Sequence, residues 1–141
     1  MRVLIAEDHA YMREVLATLL FSLGVTVVGQ AHDGRSAVQL TDQLLPDLVI
    51  MDMSMPDIEG PEATRLLLLD HPEMPVIVLS AHSEPEWVEA ALAAGAQGYV
   101  LKDVAHDDLA TAIHTVLEGG HFVSRQIHGG RNLLKAHLAR G

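Results

Sequence analysis

Residues 48–56, Leu48-Val49-Ile50-Met51-Asp52-Met53-Ser54-Met55-Pro56, are an apolar run that ends at a carboxylate and passes into a loop. Four more short runs rich in valine, isoleucine and leucine share this form, at residues 3–6, 25–28, 76–79 and 98–101. Nearly unbroken apolarity over so few residues indicates strands that are buried on both faces, as in a parallel sheet. We therefore expect five parallel strands.

The segments between these runs carry apolar residues at helical spacing. Asp33 is a plausible N-cap for the second helix, and Ser83 followed by Glu86 has the form of a capping box before the fourth. Gly119-Gly120 is expected to stop the fifth helix. Strict alternation of strand and helix predicts an α/β fold, a doubly wound five-stranded parallel sheet with helices on both faces.

Polar residues stand where four of the apolar runs end. In folds of this class the ligand site lies beyond the carboxyl ends of the strands. Glu7, Asp8, Asp52, Ser80 and Lys102 all fall at such ends. Clustering three carboxylates is costly unless a cation sits among them. The set suits a site that handles a phosphoryl group, because a bound divalent cation relieves the repulsion between a carboxylate nucleophile and that group.

Residues 1 to about 120 resemble the receiver domain of bacterial two-component response regulators. The motifs that carry the resemblance are Glu7-Asp8, Asp52 with Met53-Ser54-Met55-Pro56 and Gly60, Ser80-Ala81, and Lys102. The resemblance implies the flavodoxin-like, CheY-like receiver fold. Residues 94–103, Ala-Gly-Ala-Gln-Gly-Tyr-Val-Leu-Lys-Asp, further resemble the NarL/FixJ branch, whose members carry a LuxR-type helix-turn-helix output domain.

This resemblance implies a role for each motif residue. Asp52 is expected to accept a phosphoryl group from a sensor histidine kinase, as a phosphoacceptor that also reacts with small phosphodonors and dephosphorylates itself, and not as a turnover enzyme. Glu7, Asp8, Asp52 and the backbone carbonyl of Ser54 are expected to hold Mg²⁺. Lys102 is expected to pair with Asp52 at rest and with phosphoryl oxygens afterwards.

The same resemblance implies a switch. Ser80 is expected to move toward the phosphoryl group and vacate space for Tyr99, which reshapes the face formed by the fourth helix, fifth strand and fifth helix. This face is expected to control dimerisation and, in a full-length transcription regulator, DNA binding. Ser54 and His82 occupy positions that resemble those that tune dephosphorylation.

Charge is distributed unevenly along the chain. Its net charge is −10, but residues 1–120 hold all nineteen acids and five of nine bases, so they carry −14 against +4 in residues 121–141. An acidic body repels nucleic acid, so we expect DNA contact only through an output domain that this chain lacks. The chain has no cysteine, and its first apolar run is too short for a signal peptide or membrane span. A cytoplasmic protein without membrane contact is therefore expected.

Residues 121–141 are predicted to be a basic linker or short helix, with apolar positions at Leu133, Leu134 and Leu138. This tail would lead to an output domain in a longer regulator, pack on its own body, or complete a dimer. A stand-alone receiver that signals by protein contact is the alternative.

Two other functions fit the predicted architecture less well. A flavin- or nucleotide-binding protein would need a glycine-rich phosphate loop, where this chain has Glu7-Asp8-His9. A phosphatase of the haloacid dehalogenase type would need an acid two residues after its nucleophile, where this chain has Ser54. The nine histidines show no close metal-binding pair in sequence, so solvated surface positions are expected for them.

Overall fold

A computed structural model describes residues 1–140 of the chain. The strands are β1 (Arg2–Ala6), β2 (Thr26–Ala31), β3 (Leu48–Asp52), β4 (Val76–Ser80), β5 (Gly98–Leu101) and β6 (Phe122–Val123). The helices are α1 (Ala10–Ser22), α2 (Gly34–Leu44), α3 (Gly60–Asp70), α4 (Pro85–Ala93), α5 (Ala105–Leu117) and α6 (Gly130–Arg140), with a 3-10 turn at Lys102–Val104. No helix within residues 1–140 is long and apolar enough to cross a membrane.

The strands form one parallel sheet in the order β2-β1-β3-β4-β5-β6. Alternate strand residues point to opposite faces, so Val3 and Ile5 pack with α1 and α5 while Leu4 and Ala6 pack with α2, α3 and α4. The predicted doubly wound architecture is confirmed. The expected five strands were one too few, because β6 has two residues and is too short to give a recognisable apolar run.

One of the two predicted helix caps is confirmed. The Asp33 carboxylate accepts a hydrogen bond from the Ser36 N–H at 2.7 Å, and Ser36 Oγ accepts one from the Asp33 N–H at 3.4 Å. The capping box predicted for Ser83 and Glu86 is wrong. Pro85 takes the first helical position, which it favours because it has no N–H to satisfy, so Glu84 becomes the N-cap and makes no side-chain cap bond.

The tail packs on the body of the same chain. β6 pairs with the edge strand β5, and α6 lies against α4. Ile127 is buried, and Leu133 and Leu134 pack against the core cluster on the α2–α4 side of the sheet, whereas Leu138 is about half exposed. Residues 121–140 therefore extend the sheet and cover one of its helices.

Candidate functional site

The strand register brings the predicted site residues to one edge of the sheet. Ala6 pairs with Met51, Asp52 with Leu79, and Ser80 with Leu101. Because the strands are parallel, their carboxyl ends meet, and Glu7 and Lys102 each follow directly after a paired strand end. The apolar strands thus place carboxylates and an ammonium group side by side.

Lys102 links two carboxylates at the centre of this site. Its Nζ lies 2.9 Å from Glu7 Oε1 and 3.1 Å from Asp52 Oδ1. Both carboxyl groups are almost fully buried, with side-chain exposures of 1% and 3%, while the lysine is 19% exposed. The ammonium group therefore offsets part of the cost of burying two like charges.

The two buried carboxyl groups differ in their affinity for protons. Burial, and then hydrogen bonding to Glu7 and its negative charge, raise the pKa of Asp52 to about 7. Burial also acts to raise the pKa of Glu7, but hydrogen bonds from Asp52, Lys102 and the His9 backbone outweigh it and lower that pKa. Burial lowers the pKa of Lys102, yet its pairing with Glu7 and Asp52 raises it overall, so this lysine stays protonated. Burial beside the negative charge of Glu7 therefore makes Asp52 the carboxyl group that is harder to ionise when no cation is bound.

The carboxylates form a group that suits a divalent cation. Ligand atoms of Glu7, Asp8, His9 and Asp52 all lie within 4.8 Å of one another. Asp52 Oδ2 is buried and has no hydrogen-bond partner within residues 1–140. An unpaired buried carboxylate oxygen among further carboxylates is the donor set that Mg²⁺ prefers. The residues present therefore fit the ion, and His9 is a member of the group that the sequence analysis did not identify.

Two glycines hold the loop that follows Asp52. A Cβ atom on Gly60 would overlap the carbonyl oxygen of Asp52, and one on Gly34 would overlap the carbonyl oxygen of Ile58. The loop therefore runs directly against the first turns of α2 and α3. Within it, the Ser54 N–H donates to Asp52 Oδ1 at 3.4 Å, while the role of the Ser54 carbonyl as a ligand stays a prediction.

Ser80 and Tyr99 meet at the His82 backbone and not at Asp52. The His82 N–H donates to Ser80 Oγ at 2.9 Å, and the Tyr99 hydroxyl donates to the His82 carbonyl at 2.8 Å. Tyr99 is fully buried, and burial raises the pKa of its hydroxyl. The His82 ring stacks on Trp87 of α4, with ring centroids 3.9 Å apart and an interplanar angle of 7°. These contacts join the end of β4 to β5 and α4.

Ser124 is a structural residue near the site that the sequence analysis did not identify. Its buried Oγ accepts from the Leu101 N–H at 3.1 Å and donates to Asp108 of α5 at 2.8 Å. Leu101 directly precedes Lys102. The tail therefore fixes the strand end from which Lys102 projects, and a lone serine after a two-residue strand gives no sequence signal for this.

Comparisons with known proteins point to one family. The family model for the response regulator receiver domain matches residues 3–114. The chain is 36% identical over 137 residues to the transcriptional regulatory protein DegU of Brevibacillus brevis, which covers 96% of this chain and 57% of that protein. It is 38% identical over 127 residues to the response regulator GacA of Pseudomonas viridiflava, covering 89% of this chain and 59% of that protein.

A solved structure shares nearly the whole architecture. The crystal structure of a two-component response regulator of the LuxR family from Aurantimonas sp. SI85-9A1 superposes with a TM-score of 0.87 at 29% identity, covering 97% of each chain. The chain spans just under three fifths of the length of these two relatives, 57% of DegU and 59% of GacA.

Proposed function

Because this chain belongs to the response regulator receiver domain family, we propose that Asp52 is its phosphoryl acceptor and a sensor histidine kinase its donor. The observation that carries this proposal is the buried contact of Asp52 with Lys102 at 3.1 Å, beside Glu7 and Asp8. The strand-end position gives Asp52 a fixed orientation, and the lysine supplies a cation for the charge that arrives with the phosphoryl group.

The transfer forms one bond and breaks one. An Asp52 carboxylate oxygen attacks the phosphorus of a phosphohistidine, the new O–P bond forms, and the P–N bond breaks with its electron pair returning to the imidazole of the kinase. Lys102 Nζ then pairs with phosphoryl oxygens in place of the Asp52 carboxylate. The Ser80 hydroxyl supplies a further donor to those oxygens once it leaves the His82 N–H. Hydrolysis of the acyl phosphate returns the site to its starting state, so the protein works as a phosphoacceptor and not as a turnover enzyme.

Mg²⁺ is the proposed cofactor. Glu7, Asp8, Asp52 and the backbone carbonyl of Ser54 would hold it, and water would complete its shell of about six oxygen ligands. When bound, the ion stabilises negative charge on the phosphoryl oxygens. The chain's own contribution is to keep its acids in place: Arg13 donates to the Glu7 carbonyl at 2.8 Å, which fixes the end of β1 against α1.

The proposed output passes through Ser80 and Tyr99. Ser80 Oγ and the Tyr99 hydroxyl both bind the His82 backbone, so withdrawal of Ser80 toward a phosphoryl group frees the loop that leads into α4. The face formed by α4, β5 and α5, on which β6 and α6 of the same chain lie, changes with it and controls homodimerisation. In a full-length regulator this would control DNA binding through an output domain after the receiver, with residues 121–141 as the connection. A receiver that signals alone by protein contact is the alternative.

Mass spectrometry with acetyl phosphate and Mg²⁺ tests the phosphoacceptor. We expect the parent to gain one phosphoryl group and Asp52→Asn to gain none. Asp57→Asn is the matched control, because Asp57 is an exposed acid in the same loop and pairs with Arg35 at 2.9 Å. It should be labelled like the parent. Labelling of Asp52→Asn would place the nucleophile elsewhere.

Light scattering tests the proposed output separately. Beryllofluoride with Mg²⁺, which stands in for the phosphoryl group, should raise the average mass of the parent and leave that of Asp52→Asn unchanged. An unchanged mass in the parent, under conditions where the acetyl phosphate label forms, would argue against phosphorylation-dependent dimerisation and for the stand-alone alternative.

A further inference from the structure

His9 stands at the N-cap of α1 without capping it. Ser, Thr, Asp and Asn are preferred at this position because a side-chain oxygen accepts a hydrogen bond from the first turn. The His9 side chain makes no such bond, although its backbone is extended as an N-cap requires. Helix stability therefore does not account for an imidazole at this position.

The His9 ring instead faces the carboxylate group. Its Nδ1 lies 3.3 Å from Glu7 Oε2 and 3.3 Å from Asp8 Oδ1. Neighbouring ligands around an octahedral ion with bonds near 2.1 Å stand about 3 Å apart. The imidazole nitrogen is thus spaced from two carboxylate oxygens much as adjacent ligands of one ion are. Asp52 belongs to the same group, and its buried Oδ2 has no hydrogen-bond partner among residues 1–140.

We propose that His9 supplies a nitrogen ligand, through Nδ1, to the divalent cation of this site. The proposal rests on the phosphoacceptor function, since it assigns one more ligand to the same centre. An imidazole suits transition metals, whereas Mg²⁺ favours oxygen ligands. The centre therefore accepts Mn²⁺ and related first-row ions more readily than a site built from carboxylates alone. The ring is 72% exposed, so it is free to turn onto a bound ion without repacking the core.

Binding of Mn²⁺ and Mg²⁺ to the phosphate-free protein, measured by calorimetry, tests the ligand role. We expect His9→Ala to weaken Mn²⁺ binding about tenfold and to change Mg²⁺ binding less than about twofold. His114→Ala is the control, because His114 is exposed on α5 and pairs with Glu118. It should bind both ions like the parent.

Pulsed electron paramagnetic resonance of bound Mn²⁺ gives an independent readout. The parent should show the coupling of a directly bonded imidazole nitrogen, and His9→Ala should lack it. Absence of that coupling in the parent, or an equal loss of Mn²⁺ and Mg²⁺ affinity in His9→Ala, would overturn the proposal and leave His9 as an electrostatic partner of the acids. If instead the parent binds neither ion and acquires no phosphoryl label, the phosphoacceptor function itself fails.

Discussion

Asp52 carries a stability cost that follows from its position. The pKa of its carboxyl group is 3.8 in an exposed setting, and burial raises this pKa to about 7 in the folded chain. Between these values the unfolded state releases the proton first, so ionisation favours unfolding. Without a bound cation, the free energy of unfolding should therefore fall as the pH rises from about 4 to about 7, and it should stay constant above about pH 7. Glu7, whose pKa is lowered, acts in the opposite sense and loses its contribution as the pH falls through its folded pKa.

Asp52→Asn should remove this pH dependence. A tenfold change in proton affinity corresponds to about 1.4 kcal/mol, and the pKa shift spans about three such steps. The free energy of unfolding of the variant should therefore exceed that of the cation-free parent above pH 7, by at most about 4 kcal/mol because the substitution also gives up the pairing of Asp52 with Lys102. Urea unfolding at pH values from about 5 to about 8 measures this difference, because that range spans the pKa of Asp52, which is about 7. Mg²⁺ should restore stability to the parent and not to the variant. A parent whose stability rises steadily over this range would contradict the assignment.

The sequence predicts which residues meet at this site better than it predicts their orientation. Glu7, Asp52 and Lys102 each follow an apolar run, and parallel strands bring such ends together whatever the loops do. The orientation of Ser80 and Tyr99 depends on the His82 backbone, which no pattern of residue types reveals. His9 gave no signal because one histidine beside two acids is common on protein surfaces.

At the scale of the element, the loop after β3 depends on Gly60. A methyl group there would overlap the Asp52 carbonyl, so Gly60→Ala must displace either the loop or α3. We expect it to lower the free energy of unfolding by about 3 kcal/mol and to slow acetyl phosphate labelling. Gly119→Ala is the control, since its Cβ meets nothing within 4 Å and its φ of +86° costs only about 1 kcal/mol. If urea unfolding shows the same loss of stability in Gly60→Ala and Gly119→Ala, the close packing at Gly60 is contradicted.

Ser124 ties three elements together, and its loss should be measurable. Ser124→Ala leaves the Leu101 N–H and the Asp108 carboxylate without this partner, which should lower the free energy of unfolding by about 1–3 kcal/mol. Ser22→Ala removes an exposed serine hydroxyl at the end of α1 and should stay within about 0.5 kcal/mol of the parent. Chemical denaturation of both variants measures their free energies of unfolding. A Ser124→Ala variant as stable as the parent would show that water replaces the hydrogen bonds of Ser124 to Leu101 and Asp108.

Helix starts illustrate why element boundaries are harder to predict than elements. Asp33 and Ser83 both precede helical patterns, and each is predicted to cap the helix that follows it. Asp33 caps α2, whereas Pro85 moves the start of α4 past Ser83. The competing preference of proline for the first helical position decides between two patterns that look alike.

At the scale of the whole molecule, the tail contributes to the stability of the body. Ile127, Leu133 and Leu134 pack on the core, and β6 pairs with the edge of β5. A chain shortened to end at Gly120 should therefore unfold at a lower temperature and bind more of an apolar dye, because fully burying one aliphatic side chain is worth roughly 1.5–3 kcal/mol. A chain shortened to end at His137 loses Leu138, which is about half exposed, and should melt close to the parent. Equal melting of all three forms would show that the tail adds nothing to the fold.

The stacking of Trp87 on His82 turns the loop after Ser80 into a built-in optical reporter. Trp87 is the sole tryptophan of the chain, and its indole lies 3.9 Å from the ring of the residue that both Ser80 and Tyr99 bind through its backbone. Its fluorescence therefore arises from a single emitter whose quenching depends on that loop. Kinase, cation or phosphodonor binding that rearranges the loop can be followed in real time by emission intensity, without a dye and without a second tryptophan to subtract.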